Sequence, residues 1–243
     1  MRRVLILGGT AEARGLAARL SGVPGLLTVS SLAGRVTEPR LPAGEVRVGG
    51  FGGPRGLAAW LREHRIDRLV DATHPFAERM SASAAEASAL AGVPLIALRR
   101  PGWREGDGDA WRRVPSLAAA AAALPDGARA FLTTGRRGIP VFAARTDAWF
   151  LARSVDPPEP PVPSNVRVLL SRGPYTVDGE RALIREHRLD VLVTKDSGGT
   201  MTRAKLTAAR AARLPVIMVD RPRPPAGVET TGDVAAAARW AQG

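Results

Sequence analysis

The chain has 243 residues, of which 45% are hydrophobic and 24% charged, a composition typical of folded globular proteins and not of disordered ones. It contains no cysteine, which excludes disulfides, thiol nucleophiles and cysteine-ligated zinc. The net charge of +12 favours an anionic partner. Because the basic residues are dispersed and only 5% of residues are aromatic, a small anionic ligand is favoured over nucleic acid.

The sequence has no clear signal peptide, membrane-spanning segment or metal-binding pattern. The apolar run that follows Met1 stops at Gly8, too early for the hydrophobic region of a signal peptide, and no later run reaches membrane-spanning length. We therefore expect a soluble, cytoplasmic protein with no membrane partner. Histidines and carboxylates do not occur at metal-ligand spacing, so no metal is expected, and the sequence does not indicate an oligomeric state.

The first predicted element is a buried strand over residues 4–7, followed by the glycine turn Gly8 and Gly9 and a helix to residue 20. Such a turn lets an anion approach the main chain at the positive end of the helix dipole. Thr10 is predicted to cap the helix by accepting from the amide of residue 12 or 13. The dinucleotide fingerprint G-x-G-x-x-G is incomplete, because Thr10 and Ala13 occupy its second and third glycine positions. A nucleotide-binding turn and an ordinary strand-to-helix connection both remain open.

Strands and helices then alternate along the chain. The patterns predict strands over 26–31, 45–48, 67–70 and 94–98, helices over 55–64 and 76–91, and, in the second half, strands over 130–135, 149–155 and 166–170 with a closing helix over 234–240. This alternation predicts an α/β protein with parallel sheets flanked by helices.

An internal repeat divides the chain. Residues 62–70 read REHRIDRLV and residues 185–193 read REHRLDVLV, and the pair VPLIALRRP (93–101) and LPVIMVDRP (214–222) follows at nearly the same offset. We expect two related domains, residues 1–101 and residues 102–243. The repeat places His64 and His187 at equivalent helix ends, where a histidine complements the dipole, and leaves His74 as the histidine available for chemistry.

The end of the second strand bears on cofactor choice. A fold that binds NAD carries an acidic residue about 20 residues beyond the glycine turn, but Ser30 and Ser31 stand there, with Arg35 close behind. A hydroxyl and a guanidinium suit a 2′-phosphate, so a nicotinamide cofactor would be NADP(H) and not NAD(H). The alternative is that the serines only end a strand and Arg35 is solvated.

The remaining strand ends are rich in glycine, hydroxyl and basic residues, and ligands of parallel sheets bind at such ends. They carry FGG (51–53), DATHP (71–75), TTGR (133–136), SRGPY (171–175) and TKDSGGT (194–200), and the chain's only two lysines are Lys195 and Lys205. Arginines and backbone amides at these ends suit carboxylates. Each segment is also open to a purely structural role as a turn or helix cap.

Five motifs in order, GGTAEAR (8–14), DATHPFA (71–77), TTGRRG (133–138), SRGPY and TKDSGGT, closely resemble the precorrin-6A reductase family of cobalamin biosynthesis. The resemblance implies NADPH-dependent reduction of one double bond of the precorrin-6A macrocycle to give precorrin-6B. It also implies two Rossmann-like domains that enclose a ligand cleft, and a tetrapyrrole substrate with many carboxylates.

From this resemblance and the places of the strand ends, we assign an expected role to each candidate residue. NADPH is expected to contact Gly8, Gly9, Thr10, Glu12, Ser30, Arg35, Gly52, Gly53, Thr73, His74 and Pro75. The substrate is expected to contact Thr134, Gly135, Arg136, Arg172, Gly173, Tyr175, Lys195, Ser197 and Gly198. The candidate catalytic groups are Asp196, Lys195 and His74, with Asp196 or His74 as the proton donor.

Two other classes of function remain as alternatives. A tetrapyrrole methyltransferase would use the glycine turn for S-adenosylmethionine and need no 2′-phosphate pocket. A nucleic-acid binder would use the positive charge. Whether the substrate carries cobalt is left open by the sequence.

Overall fold

The computed structural model of the chain describes residues 1–34 and 41–243. These residues form two compact units, one made of Met1–Pro101 with Pro222–Gly243 and the other of Gly102–Arg221. Each unit contains a six-stranded sheet in which every described pair of neighbouring strands is parallel. The predicted α/β class with two related Rossmann-like domains is confirmed.

The first unit begins with the predicted strand, turn and helix. Its elements are β1 (Arg2–Leu7), α1 (Ala11–Leu20), β2 (Leu26–Leu32), β3 (Glu45–Val48), α2 (Pro54–Glu63), β4 (Arg68–Asp71), α3 (Glu78–Ala91), β5 (Leu95–Leu98), β12 (Glu229–Thr231) and α8 (Val234–Gln242). The strand order is β12-β5-β4-β1-β2-β3. The carboxyl ends of these parallel strands therefore lie along one edge of the sheet.

The second unit repeats this plan. Its elements are β6 (Trp111–Val114), α4 (Leu117–Ala122), β7 (Arg129–Leu132), a short 3₁₀ turn (Arg136–Gly138), α5 (Ile139–Ala143), β8 (Trp149–Ser154), β9 (Val166–Leu170), α6 (Val177–Glu186), β10 (Val191–Lys195), α7 (Ala204–Ala211) and β11 (Val216–Val219). The strand order is β6-β11-β10-β7-β8-β9.

The continuous apolar run of β1 is explained by burial on both faces of its sheet. Val4 and Ile6 pack with α1 and α8, whereas Leu5 and Leu7 pack with α2 and α3. All four side chains are at most 2% exposed. None of the helices in the described ranges has the length and apolar character needed to cross a bilayer.

The edge strands β6 and β12 do not pair with the strand that precedes them in the sequence. β6 follows β5 in sequence but pairs with β11, and β12 follows β11 but pairs with β5. The expectation that residues 102–243 form one domain is therefore wrong for the last stretch, Pro222–Gly243, which belongs to the first unit. The physical reason is that α8 buries Ala237, Ala238 and Ala241 in the core beneath α1.

The repeated segments make equivalent hydrogen bonds in the two units. The Asp67 carboxylate accepts from the Arg3 main-chain N–H at 2.7 Å, and the Asp190 carboxylate accepts from the Arg129 main-chain N–H at 2.9 and 3.0 Å. Each aspartate thus ties the strand that follows its helix to a neighbouring strand, β1 in the first sheet and β7 in the second. This correspondence accounts for the repeat found in the sequence.

The two predicted structural histidines occupy matching helix ends. His64 and His187 are the C-cap residues of α2 and α6, and each is followed by an arginine with positive φ, Arg65 at 49° and Arg188 at 48°. The His64 ring stacks on Trp60 with a centroid distance of 4.0 Å. Their assignment to the framework is confirmed.

Candidate functional site

The glycine turn after β1 is open. Gly8 continues the sheet by donating its N–H to the Ser31 carbonyl at 2.9 Å. Gly9 has a φ of +111°, and a Cβ built there would have no neighbouring heavy atom within 4 Å. The turn therefore exposes main chain at the amino end of α1, the arrangement that accommodates an anion.

Thr10 caps α1 as predicted. Its hydroxyl accepts from the Ala13 amide at 3.1 Å and donates to the Ala72 carbonyl at 2.8 Å, and the residue is 6% exposed. Both functions of the hydroxyl are thus used within the protein. What Thr10 offers to a ligand is its place in the turn and not its side chain.

Glu12, another predicted cofactor residue, lies in the first turn of α1 and pairs with Arg100. The Arg100 Nη1 to Glu12 Oε2 distance is 2.7 Å, and both side chains are largely buried. Arg100 follows β5, so the pair joins two strand ends of the first sheet. The sequence interpretation missed this arginine because it read residues 100–111 as a connection between domains.

The end of β2 differs from the prediction. Ser30 is 2% exposed, and its hydroxyl has no hydrogen-bond partner in the described part of the chain. Ser31, the next residue, accepts from Arg47 Nη1 at 3.3 Å. Arg35 lies outside the described residues. The deep burial of Ser30 makes it a poor contact for a cofactor, whereas Ser31 and Arg47 are brought together at this edge.

Two further glycines, Gly52 and Gly53, precede α2. Their φ angles are 78° and 91°, and a Cβ at either would have no neighbour within 4 Å. Pro54 opens the helix without a side-chain cap. Bare main chain is therefore available at this strand end, next to the Phe51 ring.

Asp71 shapes the loop after β4. Its Oδ1 accepts from the Thr73 amide at 3.1 Å and from the Thr73 hydroxyl at 2.6 Å, and its Oδ2 accepts from the Ser81 hydroxyl at 2.5 Å. Asp71 is 4% exposed. The carboxylate therefore fixes the loop that carries the predicted residues Thr73, His74 and Pro75.

His74 is exposed at the tip of that loop. Its Nδ1 accepts from the Phe76 amide at 3.2 Å, which in the neutral ring places the proton on Nε2. Pro75 is buried, and its carbonyl accepts from Arg99 Nη2 at 3.4 Å. The loop therefore exposes the imidazole ring in the tautomer whose N–H donor is Nε2.

In the second unit, the segment after β7 is only partly available to a ligand. Thr134 is 5% exposed, and its hydroxyl lies so close to Gly138 that a Cβ there would be 2.4 Å away. Gly135 is open, with a φ of +81°, and Arg136 is half-buried and donates to the Pro157 carbonyl at 3.3 Å. Gly135 and Arg136 fit the predicted role better than Thr134 does.

Tyr175 is held inside its own loop. Its hydroxyl donates to the Ser171 carbonyl at 3.0 Å, and its ring lies 3.7 Å from the Arg153 guanidinium, which is paired with the buried Glu180. A Cβ at Gly173 would lie 3.2 Å from this ring. Tyr175 is therefore part of the framework beneath the exposed Arg172.

Asp196 is the centre of a buried network. Its Oδ1 accepts from the Trp103 amide at 2.9 Å, its Oδ2 pairs with Arg113 at 3.2 Å, and Arg221 bonds its carbonyl at 2.9 Å and its Oδ1 at 3.4 Å. A Cβ at Gly102 would lie 2.7 Å from Oδ2. Because cationic and amide donors surround this carboxylate, the network argues against the predicted role of Asp196 as a proton donor.

Asp196 also links the two ends of the segment that forms the second unit. Trp103 lies next to its first residue, Gly102, and Arg221 is its last residue. Both bond to Asp196 within this unit.

Lys195 precedes this network at the end of β10 and is partly buried. Burial lowers the pKa of its ammonium group. The Ser197 amide donates to the Lys195 carbonyl at 2.6 Å, and Gly198 has a φ of +65°. The other lysine, Lys205, is 4% exposed and donates to the Thr202 carbonyl at 3.0 Å, which assigns it to the framework. In the described ranges, no group of three or more potential metal ligands is found.

Parallel six-stranded sheets in two related units, with an open glycine turn at the amino end of a helix, define a Rossmann-like protein. Residues 3–242 match the family model described as precorrin-6x reductase CbiJ/CobK, so the chain belongs to this family. The resemblance seen in the sequence is thereby confirmed. A reductase family with this fold is consistent with a nicotinamide cofactor.

Individual relatives give the same result. The chain is 55% identical to a precorrin-6A reductase of Rhodococcus erythropolis, with 99% of this chain and 97% of the relative covered. It is 52% identical to one of Mycobacterium tuberculosis, with 100% and 98% covered. It is 30% identical to a cobalt-precorrin-6A reductase of Salmonella typhimurium, with 91% and 88% covered. A solved structure titled CobK precorrin-6A reductase aligns with a TM-score of 0.92 at 43% identity, covering 99% of this chain and 96% of that one.

Proposed function

We propose that the protein reduces one double bond of precorrin-6A with NADPH to give precorrin-6B in cobalamin biosynthesis. Family membership supports the reductase activity and the tetrapyrrole substrate. The observation that carries the cofactor assignment is the open turn at Gly9, where the main chain meets the amino end of α1. A phosphate group fits the space that a side chain at this position would fill.

The first unit is the proposed cofactor domain. Gly8, Gly9 and the main chain of Thr10 would hold the pyrophosphate, and Gly52 with Gly53 would lie against a ribose or the nicotinamide. Glu12 would act through its pair with Arg100, which keeps the first turn of α1 in place. The roles of Ser30 and Arg35 at the 2′-phosphate stay predictions from the sequence.

The second unit is the proposed substrate domain. Arg136, Arg172 and Lys195 would bind carboxylates of the macrocycle, with Gly135, Ser197 and Gly198 offering main-chain amides. The net charge of +12 supports a polyanionic substrate. Thr134, Gly173 and Tyr175 would shape this surface from beneath and not touch the ligand.

NADPH, when bound, supplies the hydride, so the protein's own task is to orient the acceptor and provide a proton. His74 is the proposed donor through Nε2, because the Phe76 amide contacts the other ring nitrogen. It would act from the protonated imidazolium, which becomes neutral imidazole when it gives up the proton. Lys195 would orient a carboxylate near the reacting carbon. Asp196 would act only by holding the segment that carries Lys195.

The substrate is proposed to be metal-free. Five relatives named precorrin-6A reductase share 46–55% identity with this chain, whereas three named cobalt-precorrin-6A reductase share 27–30%. Parallel assays with the metal-free and cobalt-containing macrocycles distinguish the two. Equal or faster turnover of the cobalt form would contradict this part of the proposal.

Gly9→Ala tests the cofactor site against a matched control, Gly22→Ala. Both glycines have positive φ, 111° and 81°, and both have open space around a built Cβ, so each change mainly strains the backbone by about 1–2 kcal/mol. Only the methyl group at residue 9 would also stand where the phosphate binds. We expect Gly9→Ala to weaken NADPH binding at least about tenfold, and Gly22→Ala to leave it unchanged.

Titration of the unmodified protein with NADPH, NADH and S-adenosylmethionine completes the test. Binding of NADPH, followed by its oxidation when precorrin-6A is added, is the expected result. Equal NADPH affinity in both glycine variants would remove the turn from the site. Binding of S-adenosylmethionine without NADPH would favour the methyltransferase alternative, and salt-dependent binding of DNA or RNA would favour the nucleic-acid alternative.

A further inference from the structure

Arg47 on β3 has a fixed and unusual setting. Its Nη1 donates to the Ser31 hydroxyl at 3.3 Å and to the Gly49 carbonyl at 2.6 Å, and its Nη2 donates to the Gly50 carbonyl at 2.7 Å. The guanidinium carbon lies 3.7 Å from the centroid of the Phe51 ring. Hydrogen bonds on one side and an aromatic face on another hold the group in a single orientation.

The charge of Arg47 is not neutralised within the described part of the chain. None of the carboxylates described there lies within ion-pair distance of its guanidinium. Burial lowers its pKa, but an arginine begins so far above neutrality that it stays cationic. Among the described residues, these contacts use three of the five N–H donors of the guanidinium, and an anion could accept from the other two.

The second unit provides an internal contrast. The arginine near the corresponding sheet edge, Arg153 at the end of β8, is paired with Glu180, and the two side chains are only 5% and 2% exposed. The positive charge of Arg153 is therefore neutralised by Glu180, and the pair is buried. Arg47 is partly exposed, and its hydrogen-bond acceptors in the described ranges are all neutral, so its charge is not balanced by this part of the framework.

The position of Arg47 indicates its ligand. In the β2–β3 ladder, Ser31 and Arg47 are register partners, so the guanidinium lies beside the carboxyl end of β2. In dinucleotide-binding folds the adenosine ribose occupies this place, with a carboxylate on the 2′-hydroxyl of NAD or an arginine on the 2′-phosphate of NADP. The last residues of β2, Ser30 to Leu32, carry no carboxylate.

We propose that Arg47, assisted by the Ser31 hydroxyl, binds the 2′-phosphate and determines the preference for NADPH over NADH. The inference rests on the proposed function, since it requires a nicotinamide cofactor in the first unit. Arg47 is thus a specificity-determining residue that the sequence interpretation did not include.

The test compares Arg47→Ala and Arg47→Lys with the control Arg167→Ala, which removes an exposed arginine from the equivalent edge strand β9. Dissociation constants for NADPH and NADH are measured by calorimetric titration on the full chain. We expect Arg47→Ala to weaken NADPH about 10- to 100-fold and NADH less than about threefold, as the loss of charge-assisted bonds to phosphate predicts. Arg47→Lys should fall between, because it keeps the charge but loses the planar fork.

A pH series supplies a readout that a purely structural role would not alter. The 2′-phosphate takes up its second proton near pH 6, so the preference of the unmodified protein for NADPH should rise between about pH 5 and about pH 7.5. In Arg47→Ala this rise should be nearly absent, and in Arg167→Ala it should remain.

The outcomes separate the two hypotheses. If the unmodified protein prefers NADPH but Arg47→Ala weakens both cofactors by the same factor, Arg47 only holds the loop at residues 49–51 and the inference is wrong while the proposed function stands. If Arg47→Lys, whose folding is checked by thermal unfolding, also leaves the preference unchanged, the same conclusion holds. If the unmodified protein shows no preference for NADPH, the proposed cofactor itself is wrong.

Discussion

Replacing Asp196 by asparagine separates its structural role from the catalytic role that its place beside Lys195 suggests. The substitution keeps the shape of the side chain and removes its charge. An asparagine Oδ1 can still accept from the Trp103 amide and from Arg221, but its amide nitrogen would then face Arg113 Nη2, donor against donor. One charge-assisted bond is lost, and two others become bonds to a neutral acceptor.

The magnitude follows from these contacts. A hydrogen bond to a charged group contributes about 1.5–3 kcal/mol, and one to a neutral group about 1 kcal/mol. The Asp196 side chain is 7% exposed, but that of Arg113 is 41% exposed and keeps its second partner, Asp220, so solvent and that pair offset part of the loss. We expect a decrease of about 2–3 kcal/mol in the free energy of unfolding, which leaves a folded protein.

The assay combines urea unfolding with single-turnover oxidation of NADPH in the presence of precorrin-6A. The control is Asp220→Asn, which also removes a partner of Arg113 but lies at the surface, with 46% of its side chain exposed, and should cost less than about 1 kcal/mol. The hydride-transfer rate of Asp196→Asn should stay within about tenfold of the unmodified rate. Unchanged stability together with a rate loss of about 100-fold or more would refute the structural assignment and restore Asp196 as an acid catalyst.

Two other predictions follow from single contacts. Burial disfavours the charged form of Lys195 and so lowers its pKa. Substrate affinity should therefore fall as the pH rises, and the fall should begin at a lower pH than the pKa of an ordinary lysine would give. In measurements of KM against pH, Lys195→Arg should move this fall to higher pH. The unfolded chain binds the same proton more tightly, so the contribution of Lys195 to stability increases with pH between the lowered and the ordinary pKa. Thr10→Val removes the cap on Ala13 and the bond to the Ala72 carbonyl and should cost about 2–3 kcal/mol in urea unfolding, whereas Thr10→Ser, which keeps the hydroxyl, should cost less than about 1 kcal/mol.

The sequence predicted the fold where local pattern decides it. The four apolar residues of β1, the glycine turn and the Thr10 cap are short-range signals, and the structure has each of them. The pairing of β6 with β11 and of β12 with β5 was not predictable in this way. Residues 229–231 read Glu-Thr-Thr, a strand without an apolar run, and only pairing with β5 across the sequence gives it a place in the first sheet.

The candidate site was predicted less well, because a polar residue at a strand end has two physical explanations. Asp71, Tyr175 and Asp196 stand at such ends, yet each side chain fixes nearby main chain: Asp71 accepts from the Thr73 amide, Tyr175 donates to the Ser171 carbonyl, and Asp196 accepts from the Trp103 amide. Local sequence cannot tell a side chain that binds a ligand from one that holds a loop. Arg47 was missed for the converse reason: in the short alternating strand β3 it reads as a solvent-facing residue, and its orientation depends on the Gly49 and Gly50 carbonyls.

The two related units differ at one turn in a way that fits the two kinds of anion recognition proposed above. Both units have an open glycine with positive φ after equivalent strands, Gly9 after β1 and Gly135 after β7. In the first unit, the ten-residue helix α1 follows at once, so main-chain amides and the helix dipole face the turn. In the second, a 3₁₀ turn and the five-residue α5 follow, and a chain segment this short contributes a much weaker dipole. An anion at this turn would therefore depend mainly on side-chain cations, in line with the roles proposed for Arg136, Arg172 and Lys195. Long, flexible cations reach carboxylates spread around a macrocycle better than a fixed turn does, which favours phosphate recognition in the first unit and carboxylate recognition in the second.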